Sequence, residues 1–203
     1  MTEEIRIYVE GGGDSKTNKQ NLRSGLDSFL SEVKQQARQR RIKWRVVACG
    51  PRQDAYEAYL NSIRYRPDAV SILLVDSEGP VKKPPRKHLK QTDGWKRFRP
   101  AATCHLMVQV MEAWLIADGE ALGNFYGHRF HSSALPDRKN VESIPKDAVF
   151  SALKQATRNT GKGTYHKTRH GPRLLGAIDP ATVRSRAPHC ERFFKALRAY
   201  VST

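Results

Sequence analysis

Apolar positions along this chain recur first every second residue and then every third or fourth, and the changes of period place its elements. Ile5-Arg6-Ile7-Tyr8-Val9 is a β-rich alternation and predicts a first strand over 5–10. Leu22, Leu26, Phe29, Leu30 and Val33 fall at helical spacing. They predict one long amphipathic helix over 19–41, with Arg38, Arg40 and Arg41 suited to the negative end of its dipole. Residues 43–49 predict a second strand, Gly50-Pro51 breaks the chain, and Asp54 is placed to cap a helix reaching about Tyr65. Val70 to Val75 is a nearly continuous apolar run, as expected of a central parallel strand covered on both sides. The order β-α-β-α-β implies an α/β fold, a doubly wound and mainly parallel sheet flanked by helices. In such a fold, sites lie at the carboxyl ends of strands.

Further along, His105 to Met111 predicts another apolar strand, from whose end Glu112-Ala113-Trp114-Leu115-Ile116 starts a helix. Residues 119–144, rich in Gly, Pro, His and Ser, predict an irregular connection. Three helices follow near 145–158, 169–177 and 180–200, with Pro145 in a first turn and Asp179 as an N-cap. The chain thus divides into an α/β core over 1–127 and a basic, mainly helical part over 128–203 packed on it.

Charge changes this picture more than size does. The 203 residues are 38% hydrophobic, enough for a real core, and carry 36 Lys+Arg against 20 Asp+Glu, a formal charge of +16. Diffuse attraction to phosphate, as in DNA or RNA, is the default inference, with an acidic protein or an anionic membrane surface as the alternatives. The stretch 80–100 concentrates Lys82, Lys83, Arg86, Lys87, Lys90, Lys96, Arg97 and Arg99 around the single acid Asp93. Pro80, Pro84 and Pro85 prevent regular structure at its start, so a mobile basic loop is expected beside the Val70–Val75 strand end. Its Trp95 and Phe98 either stack on bases or pack internally. Between Ala148 and Ile178 there is no acidic residue, and Lys162 and Arg169 belong to a second phosphate-facing surface. No run approaches the ~18 apolar residues that span a bilayer, and no N-terminal hydrophobic signal core is present. A cytoplasmic protein with no membrane association is expected. Cys49, Cys104 and Cys190 are odd in number and far apart, and read as buried thiols rather than disulfides or zinc ligands.

The chemistry is carried by acids at strand ends. Glu10 follows the first strand and precedes Gly11-Gly12-Gly13-Asp14, while Asp76 and Glu78 follow the third. On a continuing strand Asp76 and Glu78 point the same way and share an ion. Glu112 supplies another carboxylate at a strand-to-helix junction. Clustered carboxylates on a basic chain suit Mg²⁺ or Mn²⁺, hard cations that take oxygen ligands, acting on phosphodiesters. The glycine turn is not a nucleotide-triphosphate loop, because Lys16 stands where the second glycine of G-x-x-x-x-G-K-[ST] is required. In Gly161-Lys162-Gly163-Thr164-Tyr165-His166-Lys167, a lysine brought to the carboxylates, Lys167 above all, would stabilise transition-state charge. His166 and His170 lack a third ligand for zinc.

Val9-Glu10-Gly11 with Val75-Asp76-Ser77-Glu78 resembles the Toprim domain of topoisomerases, primases and overcoming-lysogenization-defect nucleases. With Met111-Glu112-Ala113-Trp114 and the Lys-Gly-x-Tyr-x-Lys segment added, the chain is similar over most of its length to a bacterial Toprim-clan family of unknown function, family 4276. The resemblance implies Glu10 as general acid/base or metal ligand, Asp76 and Glu78 as the metal pair, and Asp14 with Glu112 at a second ion. Glu78 departs from the family's second aspartate by one methylene. The resemblance further implies a Mg²⁺-dependent endonuclease, an effector of an anti-phage system working with an ATPase partner. The alternatives are a catalytically silent module that binds nucleic acid or regulates a partner and, ranked last, a nicking and rejoining enzyme.

Overall fold

The computed structural model describes residues 2–99 and 103–202. Four parallel strands, β1 (Glu4–Glu10), β2 (Lys43–Gly50), β3 (Ala69–Asp76) and β4 (Cys104–Met107), form one sheet in the order β2-β1-β3-β4. Its register pairs Ile7 with both Val46 and Ile72, and Asp76 with Met107. The chain is therefore the doubly wound α/β fold that the hydrophobic periods imply.

Alternate residues of the central strands feed two cores. Ile5, Ile7, Val9, Ile72 and Leu74 join the larger cluster, while Tyr8, Leu73 and Val75 join the smaller one. This is why β1 and β3 read as almost unbroken apolar runs: both faces of each strand are covered. The smaller cluster contains α3 (Arg52–Tyr65) through Ala55, Tyr56 and Tyr59, and α4 (Pro85–Thr92) through Leu89. The larger one contains α1 (Lys16–Phe29) and α2 (Ser31–Gln39), then α5 (Glu112–Ala117), α6 (Gly119–Tyr126) and α7 (Lys146–Thr157). It is completed by α8 (Gly171–Leu175), α9 (Pro180–Arg186) and α10 (Pro188–Ser202), with Phe193, Phe194 and Leu197 beside Phe29 and Trp114. A single apolar cluster thus runs from β1 to the last helix. Among the described residues no helix is long and apolar enough to cross a membrane.

Several elements differ from the expected ones. The helix over 19–41 is two, broken at Leu30, where φ −98° and ψ 15° leave the helical region and let α2 turn over the sheet edge. Asp54 lies inside the first turn of α3, whose N-cap is Pro51, so it is not the cap. The fourth strand ends at Met107 rather than Met111, because residues 108–111 leave the sheet to deliver α5. Residues 119–144 hold a helix, α6, whose N-cap Asp118 accepts from Ala121 N–H at 3.0 Å, and short 3-10 turns at Ser132–Ala134 and Val141–Ser143. Alternating Gly with Leu and Phe masked its period. Pro145 is the N-cap of α7 rather than a residue of its first turn. The expected 180–200 helix is interrupted at Ala187 by Pro188, while Asp179 caps α9 by accepting from Ala181 and Thr182 N–H.

The basic stretch changes most. Described over 80–99, it contains α4, with Pro85 in the first turn where a missing N–H costs nothing, so the prolines start a helix instead of preventing one. Trp95 is buried and stacks on Tyr56 at 4.2 Å between centroids and 5° between planes, and Phe98 packs against Tyr56 and Tyr59. These rings belong to the core and are not platforms for bases.

Candidate metal centre

Glu10 and Asp76 stand at the carboxyl ends of adjacent strands, and the local backbone aims them. The β1–β2 register slips between Val9 and Glu10, so Glu10 pairs with Gly50; such an irregularity redirects the side chain at a strand end. Gly11 follows at φ 121°, a conformation open to glycine, and a Cβ there would lie 2.9 Å from Leu22 Cδ2. β3 stops at Asp76, so Glu78 does not reach the cluster along a continuing strand. Instead Ser77 and Glu78 N–H donate to the carbonyls of Met107 and Gln109, at 3.0 and 2.9 Å, and Glu78 takes φ 62°. A left-handed backbone at a non-glycine residue carries strain of roughly 1–2 kcal/mol, held here by those two hydrogen bonds.

One carboxylate oxygen from each of Glu10, Asp76 and Glu78 lies within 4.8 Å of the others. Every one of the three is served by a different cation. Arg52 Nη1 donates to Glu10 Oε2 at 3.0 Å, Lys167 Nζ lies 3.8 Å from Asp76 Oδ2, and Lys146 pairs with Glu78. Asp76, 2% exposed, also accepts from Met111 N–H at 2.8 Å, and its own N–H donates to Glu10 Oε2 at 3.2 Å. Burial, then the charge of Glu10, pushes the Asp76 carboxyl well above its ordinary range despite Lys167. Burial likewise raises Glu10, against the opposing pull of Arg52. For Lys167 the balance reverses: burial lowers it, but Glu112, Asp76, Glu10 and Glu78 together hold it above its ordinary value.

Arg52 organises this end of the sheet. Its guanidinium reaches Glu10, the carbonyl of Asp76, and both oxygens of Asp93 at 2.6 and 3.0 Å, and lies 5.2 Å from the Trp95 ring. Asp93 is the single acid of the basic stretch. Burial favours its neutral form, but the Arg52 fork outweighs this and holds the carboxyl below its usual range. A further link between the basic stretch and the cluster is His88 Nε2–H donating to the carbonyl of Ser77 at 2.9 Å.

Glu112 opens α5 fully buried. Tyr165 Oη donates to its Oε1 at 2.9 Å, and its Oε2 has no hydrogen-bond partner among the described residues. This contact anchors the segment that carries Lys167. Tyr165 N–H in turn donates to Thr157 Oγ1 at 2.7 Å, tying that segment to α7. Asp14 is exposed in the glycine turn and is not part of the three-carboxylate group.

Of the basic candidates, Lys82, Lys83, Arg86, Lys87, Lys96 and Arg97 are all exposed. Lys162 lies 5.5 Å from the Phe125 ring, and Arg169 Nε donates to His170 Nε2 at 3.0 Å. His170 Nδ1–H then donates to Tyr126 Oη at 2.9 Å, so both of its ring nitrogens are used within the fold. Cys49, Cys104 and Cys190 are free thiols. Burial pushes Cys49 up to about 11 and Cys104 up to about 12, and it raises Cys190 as well, which makes them inert at neutral pH.

The sequence reading missed Arg52 and Lys146. Arg52 had a signal: it stands two residues past the carboxyl end of β2, the kind of position from which this fold draws its sites. Lys146 had none, because only the packing of α7 brings it to Glu78.

Glu10 and Asp76 of this cluster line a cavity of about 240 Å³ together with Arg52, Lys167, the glycine turn and a set of apolar side chains. Comparison with curated proteins and with solved structures found no match. The family model described as "Domain of unknown function (DUF4276)" matches residues 9–198, nearly the whole chain. The chain therefore belongs to the DUF4276 family.

Proposed function

We propose that this protein is a divalent-metal-dependent phosphodiester hydrolase acting on nucleic acid. The observation that carries the reading is the convergence of Glu10, Asp76 and Glu78, each already facing a cation, at the carboxyl end of a parallel sheet on a chain of formal charge +16.

The donor set fits Mg²⁺ or Mn²⁺. All three ligands are hard carboxylate oxygens, and oxygens around Mg²⁺ lie up to about 4.2 Å apart when each bond is about 2.1 Å. Glu78, at 45% side-chain exposure, is free to close the remaining distance. Burial raises Asp76 and Glu10, the charge of Glu10 adds to the shift of Asp76 and that of Glu78 to Glu10, and a cation placed among the three relieves this repulsion. Bound there, such an ion supplies charge neutralisation at phosphorus and lowers the pKa of water.

The chain's own residues supply the rest. Lys167, positively charged and 3.8 Å from Asp76, offers three donors for the non-bridging phosphate oxygens as negative charge builds on them. Glu10, whose carboxyl burial raises above its ordinary value, is placed to hold or release a proton at the attacking or leaving oxygen. Arg52 fixes Glu10 and the end of β3 in one geometry. The exposed cations of α4 and its flanks steer and hold the strand through its phosphates.

The test is hydrolysis of labelled single- and double-stranded DNA and RNA with Mg²⁺, Mn²⁺ or EDTA, alongside Asp76→Asn, and with a candidate ATPase as an added component. Metal-dependent products from the wild type and none from the variant support the reading. Retention of nucleic acid without products under every condition overturns it in favour of a silent binding module.

A further inference from the structure

We infer that the cavity beside the carboxylates receives the base of an unpaired nucleotide, so that single-stranded or flipped-out nucleic acid, not intact duplex, is the substrate. This rests on the phosphodiester reading above and specifies its substrate class.

The cavity lining combines two kinds of chemistry: the charged groups of Glu10, Asp76, Arg52 and Lys167, and the apolar residues Leu22, Met107, Met111 and Pro172. A phosphate or sugar satisfies only the first. The apolar lining calls for a ligand with an apolar face, joined within a few bonds to an anionic group. A nucleotide has that construction, with the base as the apolar face and the phosphate as the anion.

Size and wall chemistry agree. The volume, about 240 Å³, is that of roughly eight liquid waters, enough for a planar heterocycle. Methionine thioethers are polarizable and pack favourably on aromatic rings. Asn18 and Thr168, also on the lining, bring an amide and a hydroxyl that can meet the hydrogen-bonding edge of a base. The glycine turn Gly11–Gly13 also lines the cavity, and a Cβ added to Gly13 would meet no heavy atom within 4 Å. A base in a duplex is stacked and paired and cannot reach such a recess; an enzyme that uses one acts on single strands or extrudes the nucleotide.

The experiment measures binding of nucleoside 5′-monophosphates and of ribose 5-phosphate to the full chain with Mg²⁺, then cleavage of one sequence as single strand, as duplex, and as single strand with one abasic nucleotide. Stacking of a base contributes enough for nucleoside monophosphates to bind about tenfold tighter than ribose 5-phosphate or more. Thr168→Met, which lengthens a side chain on the cavity wall, is expected to collapse that ratio, and Thr168→Ser to keep it. Single strands are expected to be cut faster than duplex, with the abasic strand resistant at the missing base. Equal binding of nucleoside and ribose phosphates overturns the inference, as does equal cleavage of single strand and duplex. If free nucleotides bind and single strands do not, a strand substrate is likewise overturned. Hydrolysis without base discrimination leaves the phosphodiester reading standing and removes the cavity's role. Base discrimination without hydrolysis of any substrate does the reverse.

Discussion

At the carboxyl end of the sheet, three carboxyl side chains each face a particular cation at a fixed position. Along α4 and its flanks, Lys82, Lys83, Arg86, Lys87, Lys96 and Arg97 stand exposed to solvent. The two regions touch through Arg52, which holds Glu10 with one arm and Asp93 with the others. Because Asp93 is the single acid of the basic stretch and is consumed by that fork, the outward field of the stretch remains uncompensated. The difference teaches which perturbation each region responds to. Buried, geometrically paired charge responds to the identity of one atom, whereas exposed charge responds to salt and to how many cations remain.

The largest effect is expected at Asp76. Asp76→Asn removes a ligand and a charge from the centre of the cluster, which corresponds to several kcal/mol of transition-state stabilisation and about 10³-fold or more in hydrolysis. Stability is expected to move the opposite way. Asp76 and Glu10 are held above their ordinary values by burial, so the folded chain binds their protons more tightly than the unfolded chain. Their contribution therefore favours folding below the ordinary carboxylate range of about 4 and is lost as pH rises through the raised folded values. In thermal melts without metal, Asp76→Asn should melt above wild type at neutral pH, by a margin that shrinks on acidification. Saturating Mn²⁺ should invert the order, since a ligand at 100 times its Kd stabilises by about 2.7 kcal/mol. A wild type that gains nothing from Mn²⁺ would refute the metal centre.

Arg52→Met comes next and tests the bridge. It leaves Glu10 and Asp93, each mostly buried, without their shared partner, and breaking such a pair typically costs about 3 kcal/mol. Arg52→Lys is expected to recover only part of this, because an ammonium cannot reproduce the fork to both Asp93 oxygens. Urea denaturation measures the stability, and nucleic-acid affinity measured in the same variants tells whether α4 is displaced with Asp93. If both substitutions leave the denaturation midpoint unchanged, Arg52 is not the connecting element.

The exposed face should behave differently. Replacing Lys82, Lys83, Arg86 and Lys87 together by Ala is expected to leave the melting temperature within a few degrees of wild type. The log-log dependence of affinity on salt should become shallower by up to about 0.9 for each phosphate that is no longer neutralised on duplex, and about 0.7 on single strands. An unchanged slope would place the nucleic-acid interface elsewhere.

What could be read from the residues follows the same division. The strands β1 and β3, the doubly wound sheet and the approach of Glu10 to Asp76 were legible, since each rests on a local period or on the rule that sites gather at strand ends. Lys167 was legible as a lysine in a glycine-flanked segment. Elements decided by long-range packing were not. Whether Trp95 and Phe98 stack on bases or pack internally stayed open, because nothing local reveals the face of Tyr56 and Tyr59 on which they lie. Glu78 was assigned to the cluster on the assumption of a continuing strand. It arrives there through a left-handed turn that hydrogen bonds to Met107 and Gln109 impose.

The smallest effect is expected at Lys146, the one cation in the cluster whose carboxylate is substantially exposed. The pair with Glu78 sits at 37% and 45% side-chain exposure, so solvent screens it and its contribution to stability is at most about 1 kcal/mol. Its consequence lies in competition. An ammonium and a divalent cation compete for the charge of the Glu78 carboxylate, so metal binding is expected to weaken this pair while leaving Arg52 on Glu10. Lys146→Ala is therefore expected to melt within a few degrees of wild type and to bind Mn²⁺ several-fold more tightly by calorimetry. Glu78→Gln should lose that gain when combined with it. Unchanged Mn²⁺ affinity in Lys146→Ala would show that Glu78 does not contribute to the metal's coordination, leaving Glu10 and Asp76 to hold the ion alone.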